Sequence, residues 1–404
     1  MMPNQAPKNT EESPAITPAA GDSTPTAAVT SDPNSHADQE NGAFIFVICQ
    51  NGAESATKLE IMKNHDNLKL AFSRPGFITF KTDPADPLPQ RFTLKSILAR
   101  TYGWSLGKIS GDEASALVNE VSKSEKFAEA KHVHVWQRDP VIPGRNGFEP
   151  GVSVLSREVG GLFEQTPIAQ DKKIIANRET KPDELIFDVV MVEPTEWWYG
   201  YHVANTVAGR WPGGVPNFNT SIETFSRAYF KLKEAIKWSG ITISPGDVCA
   251  EIGSAPGGAC QLLLEMGAQV IGIDPAEMEP EILEHESFTH IRRRGNEAKK
   301  RDFREVRWLM ADLNMDPMYT LENVAEIVGH DAVDVRGLVL TLKLSDWKMV
   351  SGIPKLIAET KKLGFQVVKA RQLAFNRQEF CLVAVKDKFV LRAGKLSRGS
   401  RSKS

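Results

Sequence analysis

The stretch that most constrains the fold is VCAEIGSAPGGACQLLLEMGAQVIGIDP, residues 248–275. An apolar run leads into a glycine-rich turn, an amphipathic segment and a second apolar run that ends at Asp274. This order predicts strand, turn, helix and strand, the βαβ unit of a parallel sheet with helices on its faces. Because ligands of such sheets bind outside the carboxyl ends of the strands, the turn and Asp274 are the first candidate binding residues.

The rest of the carboxyl-terminal half repeats this alternation. Apolar runs predict strands at 247–252, 269–274, 307–312, 337–344, 364–370 and 379–386. A preceding helix is predicted from one apolar face, formed by Ile222, Phe225, Tyr229, Leu232 and Ile236. Gly240 is placed to end that helix. We therefore predict a doubly wound, Rossmann-like α/β domain over residues 216–387.

The amino-terminal half has a different pattern. Short strand-like runs such as 44–49 and a helix over 54–63 predict an α+β domain over residues 43–212. The segment GRWPGGVPNFN, residues 209–219, predicts an interdomain linker. The stretch DPVIPGRNGFEPG, residues 139–151, is rich in proline and glycine and predicts a loop.

The two ends of the chain differ from these domains in composition. Residues 1–42 are rich in Pro, Ala, Thr, Ser and Asn, with Lys8 as their single lysine, which predicts a disordered tail. Residues 388–404 carry basic side chains and no acidic ones, which predicts a flexible basic tail. That basic tail is either a solvated terminus or a contact to nucleic acid.

Composition excludes several classes of protein. The net charge of −2 means that any nucleic-acid-binding surface has to be local. No apolar run reaches the roughly 20 residues of a membrane span, and no signal peptide is visible. His132 and His134 alternate on a strand and are interpreted as structural. The cysteines form no CxxC pair, and they are Cys49, Cys249, Cys260 and Cys381. These features predict a cytoplasmic protein with reduced thiols and no metal, with a monomer as the default state.

The glycine-rich turn narrows the choice of cofactor. It comprises Gly253, Ser254, Ala255, Pro256, Gly257 and Gly258. A dinucleotide-binding turn has glycine where Ala255 stands, and a triphosphate-binding loop has lysine where Ala259 stands. Asp274 is placed to accept hydrogen bonds from both hydroxyls of a ribose. S-adenosylmethionine, which has a ribose and no phosphate, meets these conditions. The alternative is a tight turn followed by a strand-capping acid.

Four further charged residues lie at the ends of predicted elements. Lys231 lies in the helix before the first strand, and Asp312 and Lys343 end strands. Glu379 opens the last strand. Poor solvation after the run LVLTL predicts a lowered pKa for Lys343, which suits an amine that accepts a proton. Each residue taken singly is equally compatible with a surface charge or a capping group.

Five motifs occur in the order SRAYFKLKEA, EIGSAPGG, ADL, LTLKL and NRQEF. With these motifs the chain resembles, over residues 221–386, the FtsJ-like RNA 2′-O-ribose methyltransferases. The stretch KARQLAFNRQEFCLVAV looks most like the RlmM branch, which methylates a cytidine ribose of 23S ribosomal RNA. The resemblance implies a catalytic tetrad of Lys231, Asp312, Lys343 and Glu379. It also implies S-adenosylmethionine as cofactor, held by the turn and by Asp274 and Asp312. Large-subunit ribosomal RNA would be the partner, and residues 43–212 would form a THUMP-like RNA-binding domain.

Some residues differ from those of this family, and others are compatible with two different roles. Ala259 stands where the family has tryptophan, and the acid that contacts adenine is not evident, with Asn296 or Glu297 as possible substitutes. The arginine-rich segment 290–307 is either a phosphate contact or a solvated mixed-charge helix. Trp347 beside Lys348 is either a stacking platform or a packed side chain.

Two other functions remain open. One is methylation of another acceptor, such as a base nitrogen or a protein, although DLNMDP lacks the (D/N)PP(Y/F) motif of N-methylating enzymes. The other is a non-catalytic RNA-binding or ribosome-assembly factor that has kept the fold. An intact tetrad and glycine turn argue against that second alternative.

Overall fold

A computed structural model describes residues 30–31 and 43–386. The two predicted tails, 1–42 and 388–404, lie outside the described residues, apart from strand β1 (Thr30–Ser31). Strand β1 pairs with the antiparallel strand β5 (Thr101–Ser110).

The amino-terminal half is built on a nine-stranded mixed sheet. Besides β1 and β5, its strands are β2 (Phe44–Ile48), β3 (Leu68–Arg74), β4 (Phe77–Thr82), β6 (His132–Gln137), β7 (Ile175–Ala176), β8 (Leu185–Glu193) and β9 (Glu196–Val203). They lie in the order β3-β4-β2-β5-β9-β8-β6-β7, and only β6 pairs in parallel, with β7 and β8. The helices are α1 (Glu54–Asn64), α2 (Ala114–Val121), α3 (Glu125–Glu129), α4 (Val154–Glu164) and α5 (Pro167–Lys172).

The carboxyl-terminal half is built on a seven-stranded sheet. Its strands are β10 (Val248–Ile252), β11 (Gln269–Ile273), β12 (Phe288–Ile291), β13 (Trp308–Asp312), β14 (Gly337–Lys343), β15 (Val367–Arg371) and β16 (Glu379–Val385). They lie in the order β12-β11-β10-β13-β14-β16-β15, and only β16 is antiparallel to its neighbours. The helices are α6 (Ala228–Ser239), α7 (Gly258–Glu265), α8 (Pro280–Leu283), α9 (Pro317–Val328) and α10 (Ile353–Lys362).

Helices cover both faces of this second sheet, because alternate strand residues point to opposite sides. On β14, Leu338 and Leu340 pack in one core with Leu321 of α9 and Leu356 of α10. Val339 points the other way, into a second core that includes the buried faces of α6 and α7. The predicted α/β class of this half is therefore confirmed.

Local details differ from the sequence-based expectations. Strand β12 was not predicted, since FTHI is a four-residue edge strand with little periodicity. Helix α6 begins at Ala228, so Ile222 and Phe225 precede it, whereas its end at Gly240 (φ 74°) is as predicted. Segment 290–307 is not a helix, because β12 is followed by two short 3₁₀ turns, Gly295–Glu297 and Lys300–Phe303.

The predicted interdomain linker at 209–219 is buried in its central part. Trp211, Val215 and the residues between them are buried. Gly213 has φ 61°, and a Cβ there would lie 2.8 Å from Trp136 of β6. The carbonyl of Gly213 accepts a hydrogen bond from Arg100 Nε at 2.9 Å. The glycines thus allow the segment to pack closely against the first sheet.

Arg100 forms the most buried ion pair of this junction. Both Arg100 and Asp139 are 5% exposed, and Arg100 Nη1 lies 2.5 Å from Asp139 Oδ2. The carbonyl of Arg100 also accepts a hydrogen bond from Arg371, which lies in the second sheet. Arg100 therefore links the loop that starts at Asp139, the buried segment at Gly213 and the carboxyl-terminal half.

Substitution Arg100→Ala is expected to lower the free energy of unfolding by about 3–5 kcal/mol, because it leaves Asp139 buried without its partner. The control is Arg91→Ala, which breaks the exposed Arg91–Asp183 pair and should cost about 0–1 kcal/mol. Urea denaturation followed by circular dichroism measures both. Similar small losses in the two variants would show that the buried pair does not stabilise the junction.

Candidate functional site

The structure brings the four predicted charged residues into one cluster. Lys231 Nζ lies 2.9 Å from Asp312 Oδ2 and 2.7 Å from Glu379 Oε1. Lys343 Nζ lies 2.7 Å from Asp312 Oδ1 and 2.5 Å from Glu379 Oε2. Each lysine bridges both carboxylates, so the four charges form a closed ring and balance to zero.

The sheet order explains this convergence. Asp312 and Lys343 end the parallel strands β13 and β14, so they lie at the same edge of the sheet. Strand β16 runs the other way, and its first residue, Glu379, pairs directly with Lys343. Lys231 reaches the cluster from the first turns of α6. The side chains of the cluster are therefore fixed by backbone pairing rather than by a loop.

The charges set the pKa values of the cluster. Burial alone would raise the pKa of Glu379, but Lys231 and Lys343 lower it to about 2. Burial alone would lower the pKa of Lys343, but Asp312 and Glu379 raise it above the ordinary lysine value. The expected lowering of the Lys343 pKa is therefore wrong, because the two carboxylates outweigh desolvation. A raised pKa keeps Lys343 an ammonium group at neutral pH.

The glycine-rich turn lies beside this cluster, between β10 and α7. Gly253 has φ 81°, and a Cβ there would lie 2.7 Å from the Asp312 carbonyl oxygen. Gly257 has φ 126°, and a Cβ on Gly258 would collide with Ser226. The glycines therefore allow the turn to pass directly against the end of β13, next to Asp312.

The other residues of the turn are held by short contacts. The backbone N–H of Ala255 donates to Asp274 Oδ2 at 3.2 Å, and the hydroxyl of Ser254 lies 3.4 Å from Met278 Sδ. The carbonyl of Pro256 accepts from the backbone N–H of Glu279 at 3.0 Å. Asp274 thus braces the turn itself, and its carboxylate still has free acceptor positions.

A buried acid that the sequence reasoning did not single out completes the site. Glu251 of β10 is 2% exposed and accepts a hydrogen bond from Cys260 Sγ at 3.0 Å. Burial, together with the nearby Asp312 and Asp274, raises the pKa of Glu251 to about 8. It lines a cavity of about 20 Å³ together with Lys231 and Asp312. The signal in the sequence is a single acid inside the apolar strand VCAEI.

The residues around the turn fit S-adenosylmethionine better than a phosphate-bearing cofactor. Glu251, Asp274 and Asp312 lie at or near the carboxyl ends of three adjacent strands, and the turn carries no basic side chain. The two aspartates suit a cationic ligand and disfavour a pyrophosphate. Asn296 and Glu297 follow β12 at the same edge, where Gly295 packs against Ile252.

Glu234 is a second buried acid that the sequence reasoning missed. Its carboxylate accepts hydrogen bonds from the backbone N–H groups of Ala374 (2.9 Å) and Phe375 (3.0 Å). Burial raises its pKa to about 7. Glu234 thereby holds the turn that leads into Glu379. The signal for Glu234 in the sequence is an acid one turn after Lys231, among apolar residues of α6.

Two arginines tie the predicted loop 139–151 to the cluster. Arg227, at the start of α6, binds Glu149 of the loop (2.5 Å) and the carbonyl of Phe375 (2.9 Å). Arg377 Nε donates to the carbonyl of Pro143 at 3.0 Å. Since Arg377 lies two residues before Glu379, the loop from the first domain lies next to the charged cluster.

An open pocket of about 480 Å³ adjoins the cluster on this side. It is lined by Asn314, Met315, Asp316, Pro317, Lys343, Leu344, Ser345, Arg377, Gln378 and Glu379. Lys343 and Glu379 thus belong to the closed ring of charges and also line a space that can admit a polar ligand.

Comparison with known sequences finds a family that is similar to part of the second half of the chain. Residues 224–376 match the family described as "FtsJ-like methyltransferase". The match spans less than half of the chain, and over this stretch the chain is similar to that family. The match includes the glycine turn, Lys231, Asp312 and Lys343, and it ends three residues before Glu379. The identification agrees with the resemblance seen in the sequence motifs.

Two curated relatives that match less than half of this chain have the same name. "Ribosomal RNA large subunit methyltransferase M" of Xanthomonas oryzae pv. oryzae is 26% identical over 185 residues, covering 44% of this chain and 52% of that protein. The protein of the same name from Methylococcus capsulatus is 28% identical over 162 residues, covering 39% and 44%. The chain therefore matches about half the length of these relatives.

Among solved structures, TrmN from Thermus thermophilus covers 85% of this chain and 99% of its own, with 13% identity and a TM-score of 0.33. A TM-score this low establishes no shared fold. Within the described residues, no group of His, Cys, Asp and Glu side chains could hold a metal ion, and the four cysteines are buried and unpaired. No helix of the described chain is long and apolar enough to span a membrane.

The raised pKa of Glu251 predicts a pH-dependent stability. Between its ordinary pKa and about 8, the folded state keeps a proton that the unfolded state loses, so stability falls as pH rises through this range. Glu251→Gln removes this loss. The variant should gain stability relative to the parent protein between pH 5 and pH 8, by about 1.4 kcal/mol for each unit of pKa shift. Urea denaturation at several pH values measures this difference, and a pH-independent difference would contradict it.

Proposed function

We propose that this protein transfers the methyl group of S-adenosylmethionine to a ribose 2′-hydroxyl of large-subunit ribosomal RNA, at a cytidine. The observation that carries the proposal is the ring of Lys231, Asp312, Lys343 and Glu379, which lies between the glycine turn and the open pocket. The names of the curated relatives support ribosomal RNA as the substrate class.

The glycine turn, Asp274 and Asp312 would hold S-adenosylmethionine, which supplies an electrophilic methyl group. Asp274 lies beside the turn, where its free acceptor positions suit the ribose hydroxyls of the cofactor. Asp312 places a negative charge close to the turn, which favours a positively charged ligand there.

Lys343 would act on the 2′-oxygen. A ribose hydroxyl is a poor nucleophile, and its oxygen gains negative charge as it attacks. Because Asp312 and Glu379 raise the pKa of Lys343, its ammonium group is suited to stabilise that charge rather than to remove the proton as a free amine. As the O–CH₃ bond forms, the S–CH₃ bond would break and release S-adenosylhomocysteine, and the hydroxyl proton would pass to water in the open pocket. Lys231 and Glu379 balance the charges and hold Lys343 in place, so positioning and electrostatics carry the proposed rate increase.

The first domain would bind the RNA substrate, as the resemblance to the RlmM branch implies. Its loop 139–151 adjoins the pocket through Arg227 and Arg377. The arginine-rich segment 290–307 begins within the edge strand β12 and would offer further contacts to phosphates.

The test is transfer of labelled methyl from S-adenosylmethionine to ribosomal RNA, with nuclease mapping of the product. Lys343→Ala should lower the rate by about 100-fold or more, since it removes a group that acts directly on the attacking oxygen. The control Lys361→Ala removes an exposed lysine at the end of α10 and should leave the rate unchanged.

The mapped product separates the proposal from its alternatives. Label in an alkali-resistant dinucleotide, lost in Lys343→Ala, supports 2′-O-methylation. Label in a modified base would move the reaction to another acceptor. Cofactor binding without any transfer to RNA would contradict the proposal and favour a non-catalytic RNA-binding factor.

A further inference from the structure

A groove of about 540 Å³ lies where the first domain meets the methyltransferase domain. One wall is formed by helix α1 and by residues 94–97. The opposite wall is formed by Trp347, Lys348, Val350, Ser351 and Pro354. The groove therefore lies between the two halves of the chain, outside the charged cluster described above.

The floor of the groove is apolar. Ala56, Leu94 and Val350 line it and are buried, and Ala56 packs in the same core cluster as Val350. Trp347 packs partly against the core of the methyltransferase domain and also lines the groove. Leu59 of α1 is 68% exposed at the same place. An aromatic ring and an exposed aliphatic side chain thus face one open space.

The rim of the groove is positively charged. Lys63, Lys95 and Lys348 line it, and all three are exposed. Glu60 is the one acid among the lining residues, and its carboxylate accepts hydrogen bonds from Ser96 Oγ (2.5 Å) and the Ile97 backbone N–H (2.8 Å). Because its hydrogen bonds hold the Glu60 carboxylate against this loop, Glu60 is not paired with the three lysines in the described structure, and their ammonium groups are available to an anion.

The groove is continuous in sequence with the pocket beside the tetrad. Leu344 and Ser345 line that pocket, and Trp347 and Lys348 line the groove. The Cα atoms of Ser345 and Trp347 can be at most about 7 Å apart, since a chain extends by about 3.5 Å per residue. A ligand that follows this segment passes from the tetrad into the groove.

We propose that this groove binds a single-stranded segment of the RNA substrate next to the methylated nucleotide. One base would stack on Trp347, and Lys63, Lys95 and Lys348 would neutralise the neighbouring phosphates. Stacking on an aromatic ring with lysines along the backbone is the chemistry of single-stranded RNA, and a protein partner gives no reason for continuity with the tetrad. The inference rests on the proposed function for its substrate class.

The test measures binding of a fluorescein-labelled single-stranded RNA of about 12 nucleotides, a length in the range of single-strand-binding sites, to the full chain with sinefungin present. The groove variant replaces Lys63, Lys95 and Lys348 by alanine. The control variant replaces Lys69, Lys123 and Lys361, which are exposed elsewhere, and so loses the same charge. A second variant, Trp347→Leu, keeps an apolar side chain and removes the stacking ring.

The groove variant should bind at least tenfold more weakly than the control variant in low salt. The slope of log K against log salt should fall by about 2, since each phosphate contact of a single strand contributes about 0.7. Trp347→Leu should weaken binding by about tenfold and leave this slope unchanged, because stacking releases no counterions.

Equal binding by the groove and control variants would overturn the inference, and a protein would then be the better occupant. This result would leave the proposed function intact if methyl transfer to ribosomal RNA is observed. The opposite pair of results is also possible. If the groove variant loses RNA binding, the groove is supported as an RNA site. If the parent protein then transfers no methyl group to RNA, the proposed function is contradicted.

Discussion

The closed ring of two lysines and two carboxylates is the constraint on which the rest of the structure depends. Glu379 is 4% exposed and Lys231 is 13% exposed, and charges so poorly solvated are tolerated only when they are paired. The pairing requires β13, β14 and β16 to lie side by side with β16 reversed. The sheet order, the start of α6 and the turn before Glu379 all serve this one arrangement.

The first domain takes part in holding this arrangement. Arg227 contacts Glu149 and stands four residues before Lys231, while Arg377 contacts Pro143 and stands two residues before Glu379. Two of the four members of the ring are thus tied through the chain to a loop of the other domain. The buried side chain of Glu234 fixes the same turn from within the second domain. The domains therefore form one functional unit around the site.

The sequence predicted the features that depend on local pattern. The parallel strands, the turn beside Asp274 and the four charged residues follow from apolar periodicity and from short motifs. It did not predict the raised pKa of Lys343, the buried segment around Trp211 or the role of Glu234, because each depends on partners distant in the chain. The half-buried, four-residue strand β12 was missed because it carries almost no periodic signal.

The central claim is that Asp312 and Glu379 keep Lys343 charged. A pH titration of the ¹⁵N-labelled lysine side chains by NMR tests it directly, with Lys343→Arg to assign the signal. Lys343 should remain an ammonium group beyond the ordinary lysine pKa, and Asp312→Asn should lower the pKa of Lys343. A Lys343 signal that titrates below the ordinary lysine value in the parent protein would contradict the account and restore a free amine as the acting group.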